Sequence, residues 1–396
     1  MYYDIQVFTL NNGLKIGFVD CQSAPYACVH LRGLAGSNYE TSSIIGAAHL
    51  LEHVLVDNGD IRDLSQSSKI IAICSRDDVI YGFKTLQGNV INVIHVIKRL
   101  LNAKTISNGN LELHKNNVKN EIFRHTTNPE KYITRLIYKT LFPNSRLAIL
   151  NTGDITHVDK LTCSDLESFY CSRYKPNRFV VTVSGHFSDK MKDQIIQQMS
   201  EIETNTRNTQ PVRDYVKLEP LRGQFTQHIK VENMVGGLIK YDFYGKTVDN
   251  DQKYALTVLC KCLENRLAVS KIAQELYKLT CNNFSTGSYG FIDIFMAASN
   301  TNYSKYVQQV YELIQNYEPD FNELEKTKKE IVARFILSIE KISNLTDYYS
   351  ELLLHGRENQ TMKYEINQIQ QIDREKIGIA LDFIRLQTPK ITVMSW

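Results

Sequence analysis

The chain has 396 residues, 43% of them hydrophobic, enough to bury large cores and to form more than one domain. Its 46 Lys and Arg against 43 Asp and Glu leave a net charge of +3, which gives no electrostatic case for a nucleic-acid partner. Eight cysteines (Cys21, Cys28, Cys74, Cys163, Cys171, Cys260, Cys262 and Cys281) include no CxxC pair, which speaks against a disulfide framework or a cysteine zinc site and for reduced thiols in the cytoplasm.

The N-terminal "MYYDIQVFTLNNGLKIGFVD" has neither the apolar block of a secretory signal nor the Arg-rich pattern of a transit peptide, and it reads as strand, Asn-Gly turn, strand. No later run reaches the roughly 18 apolar residues that would span a membrane. A third strand in "YACVHLRG" leads through the loop "LAGSNYETSS" to an apolar helix in "IIGAAHLLEHVLV". Two strands around a polar turn follow in "SKIIAICSRDDVIYGFKTL". Helices come next in "NVINVIHVIKRLLNA" and "NLELHKNNVKNEIFRHTT", the second stopping near Pro129. Further helices over 130–142 and 163–172, a β-branched strand in "NRFVVTVSGHF" and a helix in "SDKMKDQIIQQMSEI" complete a first unit, residues 1–202.

Residues 203–214, "ETNTRNTQPVRD", are polar, contain Pro211 and have no apolar period, as expected of a linker. The pattern then restarts over 215–396, with strands in "FTQHIKV", "GGLIKYDFY" and "GFIDIFMAA". Its helices lie in "NDQKYALTVLCKCLENRL", "YSKYVQQVYELIQNY" and "FNELEKTKKEIVARFILSIEKI". The expected fold is α+β, two similar halves in which a mainly antiparallel sheet packs with helices.

His49, Glu52 and His53 stand at i, i+3 and i+4, so a helix projects all three from one face. Two imidazoles one turn apart can close on one zinc ion, while the alternative is a solvent-facing surface of an ordinary helix. Leu50, Leu51, Val54 and Leu55 make the helix apolar around much of its circumference, so its polar face is expected to be enclosed and to need partners.

The HxxEH spacing is the mark of the inverzincins, and "LRGLAGSNYETSSIIGAAHLLEHVLVDNG" resembles the pitrilysin and insulin-degrading-enzyme family, with its Gly-Ser-x-x-Glu loop before Gly-x-Ala-His-x-x-Glu-His. "NNVKNEIFRHTTNPEKY" resembles the family's helix bearing the third metal ligand, which puts that ligand at Glu121, and an end-of-domain pattern extends the likeness over most of residues 5–190. The resemblance implies that His49, His53 and Glu121 hold one Zn2+ ion while Glu52 acts as general base in peptide hydrolysis.

Three departures qualify it. Where active members carry another acid two turns before the third ligand, this chain has His114, read as a surface histidine or as a group supporting the ligands. The strand that pairs with peptide substrate has Ile71 and Ala72 in place of Asn-Ala. In the second half, the arginine and tyrosine that hold substrate become Tyr277 and Phe284. The chain is also the length of one half of the single-chain members, like the short members that pair as dimers. The expectation is a zinc endopeptidase subunit acting on short or unfolded peptides, completed by a related subunit that carries the Arg/Tyr pair. The alternative is a non-catalytic scaffold or peptide-binding relative.

Overall fold

A computed structural model describes residues 3–22, 24–57, 61, 63, 64, 66–102, 106, 110–203, 210–216, 218, 223, 225–232, 236–299 and 303–395. Residues 204–209 of the expected linker lie outside them. The first part of the chain forms β1 (Ile5–Thr9), β2 (Lys15–Asp20), β3 (Ala27–Gly33), α1 (Ala47–Val56), β4 (Ser68–Cys74), β5 (Val79–Thr85) and α2 (Val90–Leu101). It continues with α3 (Leu111–Thr126), α4 (Pro129–Leu141), α5 (Ile155–Lys160), α6 (Cys163–Arg173), β6 (Phe179–Gly185) and α7 (Asp189–Ser200). The second part holds β7 (Phe225–Lys230), β8 (Gly237–Tyr244), α8 (Gln252–Ala268), β9 (Leu276–Ser285), β10 (Gly290–Ala298) and α9 (Tyr303–Asn316). It ends with α10 (Phe321–Ser338), α11 (Ile342–His355), α12 (Met362–Gln370), α13 (Arg374–Arg385) and β11 (Lys390–Ser395).

The fold is α+β with two sheets, each packed with helices. The first runs β1-β2-β6-β3-β5-β4 and the second β7-β11-β8-β10-β9. Every neighbouring pair is antiparallel except β2 with β6 and β7 with β11. Leaving out β1, the two orders are the same, strand for strand, including the place of the parallel pair. That correspondence is the duplication expected from the sequence.

In both sheets the last strand of the unit slots in beside the first, and the inner strands β6 and β8 are buried along nearly their whole length. On one face of the first sheet, Val29, Leu31, Tyr81, Phe83, Val181 and Val183 pack with Leu50 and Leu51 of α1, Ile94 and Ile97 of α2, and Val118 and Ile122 of α3. On the other, Leu34 and Val180 meet Leu353 and Leu354 of α11.

The compact units are not contiguous in sequence: each draws segments from both sides of residues 203–214. One contains 1–122, 150–216 and 336–364; the other contains 123–149, 217–335 and 365–396. The cause is an exchange of helices. The first sheet is covered by α11 from the second half of the sequence, and the second sheet by α4 from the first half, where Ile133 packs with Leu238, Phe295, Ala297 and Met394. Charge supports the apolar contact at α11: Arg32 of β3 is partly buried and its Nη1 lies 3.4 Å from Asp347 and 3.9 Å from Glu351. The long helix expected through "FNELEKTKKEIVARFILSIEKI" stops at Ser338, because Lys341 is extended (φ −78°, ψ 129°) and starts α11 anew.

Residues 1–202 expressed alone should therefore lack a cover for β2, β3 and β6. Such a fragment should bind a hydrophobic dye and give a featureless near-ultraviolet dichroism spectrum. Cooperative thermal unfolding should return only when a chain supplying residues 336–364 is co-expressed.

Candidate metal centre

The helix α1 starts at Gly46, whose backbone is left-handed (φ +89°); a Cβ there would lie 2.8 Å from the Thr152 carbonyl oxygen. First-turn N–H groups have no helical acceptor, and Glu40 supplies one: its Oε2 accepts from Gly46 N and its Oε1 from Ala48 N, both at 2.9 Å. The loop before Glu40 is fastened to the turn between β4 and β5, where the Ser37 and Asn38 N–H groups donate to the carbonyls of Ser75 and Arg76 at 3.1 and 2.8 Å. Leu50, Leu51 and Leu55 then hold the helix against the core. His49, Glu52 and His53 occupy the remaining face.

The helix α3 brings the fourth residue. Val118 and Ile122 anchor it in the same core. Lys115 Nζ donates to the Asp159 carbonyl at 3.1 Å and Lys119 Nζ meets Asp159 Oδ1 at 2.8 Å, which fixes its outer side. At the far end of α1, Asp57 Oδ2 lies 3.2 Å from His114 Nε2 and accepts from Asn110 Nδ2 at 3.2 Å. His114 is buried, so it is not the surface histidine of the first alternative. It links α3 to the end of α1, seven residues before Glu121 on the same helical face.

These supports converge three ligand atoms. His49 Nε2 is 3.1 Å from Glu121 Oε2 and 3.2 Å from His53 Nε2, and His53 Nε2 is 3.6 Å from the same Glu121 oxygen. A tetrahedral zinc ion with bonds of about 2.0–2.2 Å has ligand–ligand edges of about 3.3–3.6 Å, so the triangle and its two-nitrogen, one-oxygen donor set fit that ion. Among the described residues this is the one cluster of His, Cys, Asp and Glu with such convergence.

Glu52 stands apart from the triangle. It is buried and its Oε2 comes no nearer than 3.8 Å to His49 Nδ1, too far for a hydrogen bond. Burial pushes its carboxyl above the usual range, against the pull of His49 and His53. Glu121 behaves oppositely: hydrogen bonds from the two histidines hold it well below that range. Burial lowers the proton affinity of His53, but Glu121 and Glu52 outweigh it and leave the ring above its ordinary 6.5.

The other sequence candidates lie on sheet edges. Ile71 and Ala72 are on β4, the outermost strand of the first sheet, against which α1 packs. Ile71 points outward at 40% exposure and leans over Gly82 of β5, while Ala72 packs inward. Tyr277 and Phe284 lie on β9, the corresponding edge of the second sheet, 63% and 46% exposed. Tyr277 is the extra residue of a bulge and Phe284 packs on Phe291 with ring centroids 4.7 Å apart. The sequence reading missed Glu40 as the cap of α1 and Asp57 as the partner of His114. The Gly-Ser-x-x-Glu loop signalled the first; nothing local signalled the second.

A duplicated α+β fold whose first unit presents two histidines and a glutamate around a common point is that of a metallopeptidase scaffold. The description "Insulinase (Peptidase family M16)" matches residues 21–153 and "Peptidase M16 inactive domain" matches 160–331, and the chain belongs to this family. An uncharacterized zinc protease of Bacillus subtilis, YmxG, is 21% identical over 393 residues, 94% of each chain. The mitochondrial-processing peptidase subunit beta of Dictyostelium discoideum is 22% identical over 220 residues, 53% of this chain and 46% of that one. The crystal structure of a protease from Helicobacter pylori matches all of both chains with a TM-score of 0.89 at 15% identity.

Replacing Glu40 strips two buried N–H groups of their acceptor. Glu40→Ala should cost about 1–3 kcal/mol, read as a lowered thermal midpoint, with Glu40→Gln recovering part of it.

Proposed function

We propose that the chain is the zinc-bearing subunit of a metalloendopeptidase that cleaves short or unfolded peptides, in peptide maturation. The observation that carries this reading is the His49–His53–Glu121 triangle beside a buried Glu52 that is left out of it. Zinc held by those three residues would supply Lewis-acid polarisation of the peptide carbonyl and a water with a pKa near ~7. Glu52 takes the proton of the attacking water and passes it to the leaving amine, a role that suits a carboxyl whose proton affinity burial has raised. The unpaired edge of β4 aligns an extended peptide by main-chain hydrogen bonds, with Ile71 and Ala72 along the strand that receives it.

The same reading makes the activity depend on a partner. Phe284 has no hydroxyl to donate and Tyr277 offers no guanidinium, so the chain lacks the pair that the family uses to hold substrate. We assign that pair to a related subunit, as supported by relatives named mitochondrial-processing peptidase subunit beta and mitochondrial-processing peptidase subunit alpha. No disulfide joins the eight cysteines, which accords with the proposed cytoplasmic location. A scaffold role is the second reading, favoured by the altered Tyr277 and Phe284 positions.

Metal analysis and peptide assays decide between them. The purified chain should hold one zinc per chain, and His49→Ala or Glu121→Ala should lose it. Glu52→Gln should keep the metal and lose about 10²–10⁴-fold in kcat when the partner is present. A zinc-free natural chain would overturn the ligand assignment, and full activity without a partner would overturn the partner assignment.

Metal retention should also depend on pH with a defined sign. Ligation needs neutral imidazoles, so protons compete with the ion. Because Glu121 and Glu52 make His53 bind its proton more tightly than an ordinary histidine, metal affinity should start to weaken at a higher pH than ordinary histidine ligands would give and keep falling as the pH drops, read by competition with a chelator of known affinity at each pH.

A further inference from the structure

The second unit contains a counterpart of the metal centre that the sequence alone did not expose. Residues 261–267, "KCLENRL", sit on α8 as residues 49–55, "HLLEHVL", sit on α1, so Lys261, Glu264 and Asn265 repeat the i, i+3, i+4 spacing of His49, Glu52 and His53. On α10, "KKEIV" (328–332) repeats the "KNEIF" (119–123) of α3, which sets Glu330 in the place of Glu121. The separation between the first residue and the glutamate of the second helix is 72 in the first unit and 69 in the second. The surroundings agree as well, since α8 packs on β9 as α1 packs on β4, and the two strands hold the same place in their sheets.

The side chains meet as the spacing requires. Lys261 Nζ bonds to Glu264 Oε1 and lies 3.3 Å from Glu330 Oε1, while Asn265 Nδ2 donates to Glu330 Oε2 at 3.3 Å. The lysine side chain is 11% exposed. Glu264, at the position of the free Glu52, also accepts from the Cys281 N–H at 3.0 Å. A tethered ammonium thus stands between two carboxylates, and the general-base position is occupied twice over. We infer that Lys261, Glu264, Asn265 and Glu330 are the second copy of the metal centre, in which the Lys261 ammonium takes the place of the ion. It delivers a fixed positive charge and three donors to the same helix pair, and it closes the site to metals and to proton transfer.

The inference takes its meaning from the reading of His49, His53 and Glu121 as a metal site, so its test is run with that site removed. In the full-length His49→Ala/His53→Ala chain, cobalt(II) should not bind. Adding Lys261→His and Asn265→His should create one site per chain with the intense visible absorption of tetrahedral cobalt, and Glu330→Gln should abolish it. A folded quadruple variant that takes up no cobalt overturns the inference, whereas zinc lost from the natural chain reports only on the first site. Should that variant not fold, Lys261→Met in the natural chain gives the second measurement. It should lower the thermal midpoint, and adding Glu264→Gln should restore most of the loss by removing the carboxylate left without its ammonium, since Glu330 keeps Arg334 Nη2 at 2.7 Å. A midpoint unchanged by Lys261→Met, or unimproved by Glu264→Gln, overturns the inference equally.

Discussion

Carboxylates set partly out of water between two helices are held by positively charged or hydrogen-bonding groups in their midst, and both units of this structure are built around such a cluster. The helices α1 and α3 are pinned by leucine, valine and isoleucine on their inner faces, and this packing forces Glu121 against His49 and His53. The helices α8 and α10 likewise bring Glu264 and Glu330 together, and there Lys261 brings its own charge. One unit meets the requirement with groups that can be discharged or exchanged, the other with a group that cannot leave.

The difference follows from what the third and fourth atoms can do. Around Glu121 the partners are imidazoles, whose charge depends on pH and which offer lone pairs to a metal when neutral. Around Glu330 they are an ammonium, an amide nitrogen and the Arg334 guanidinium, which only donate. Glu52 is buried without a hydrogen bond from the described residues, whereas Glu264 is tied by Lys261 and by the Cys281 N–H. The same helical spacing therefore leaves one carboxylate unengaged and ties the other down.

Features that depend on near neighbours in sequence were legible, and those that depend on distant ones were not. His49, Glu52 and His53 declare themselves because a helix turns residues three and four apart onto one face. Glu121 needed a resemblance, since nothing in a lone helix glutamate says which helix it meets. Glu40 acts on N–H groups six and eight residues away, and Asp57 meets His114 across two helices, so neither shows a local period. The strands β9 and β11 and the helices after Ser338 escaped for a related reason. The strand β11 owes its place to β7 and β8 on either side, and α11 to the sheet it covers, rather than to any strong pattern of its own. Lys261 and Asn265 went unremarked because neither is a residue type associated with metals.

The exchange of α4 and α11 sets the order in which the molecule can be made. Synthesis at about 5–20 residues per second takes on the order of 8–30 s to run from the end of α7 to the end of α11, and through that interval Leu34 and Val180 have no helix over them. The first sheet is thus a late-maturing surface on the nascent chain, open to capture by a chaperone or to pairing with another unfinished copy. The histidines of α1 are translated long before the unit that holds them is complete.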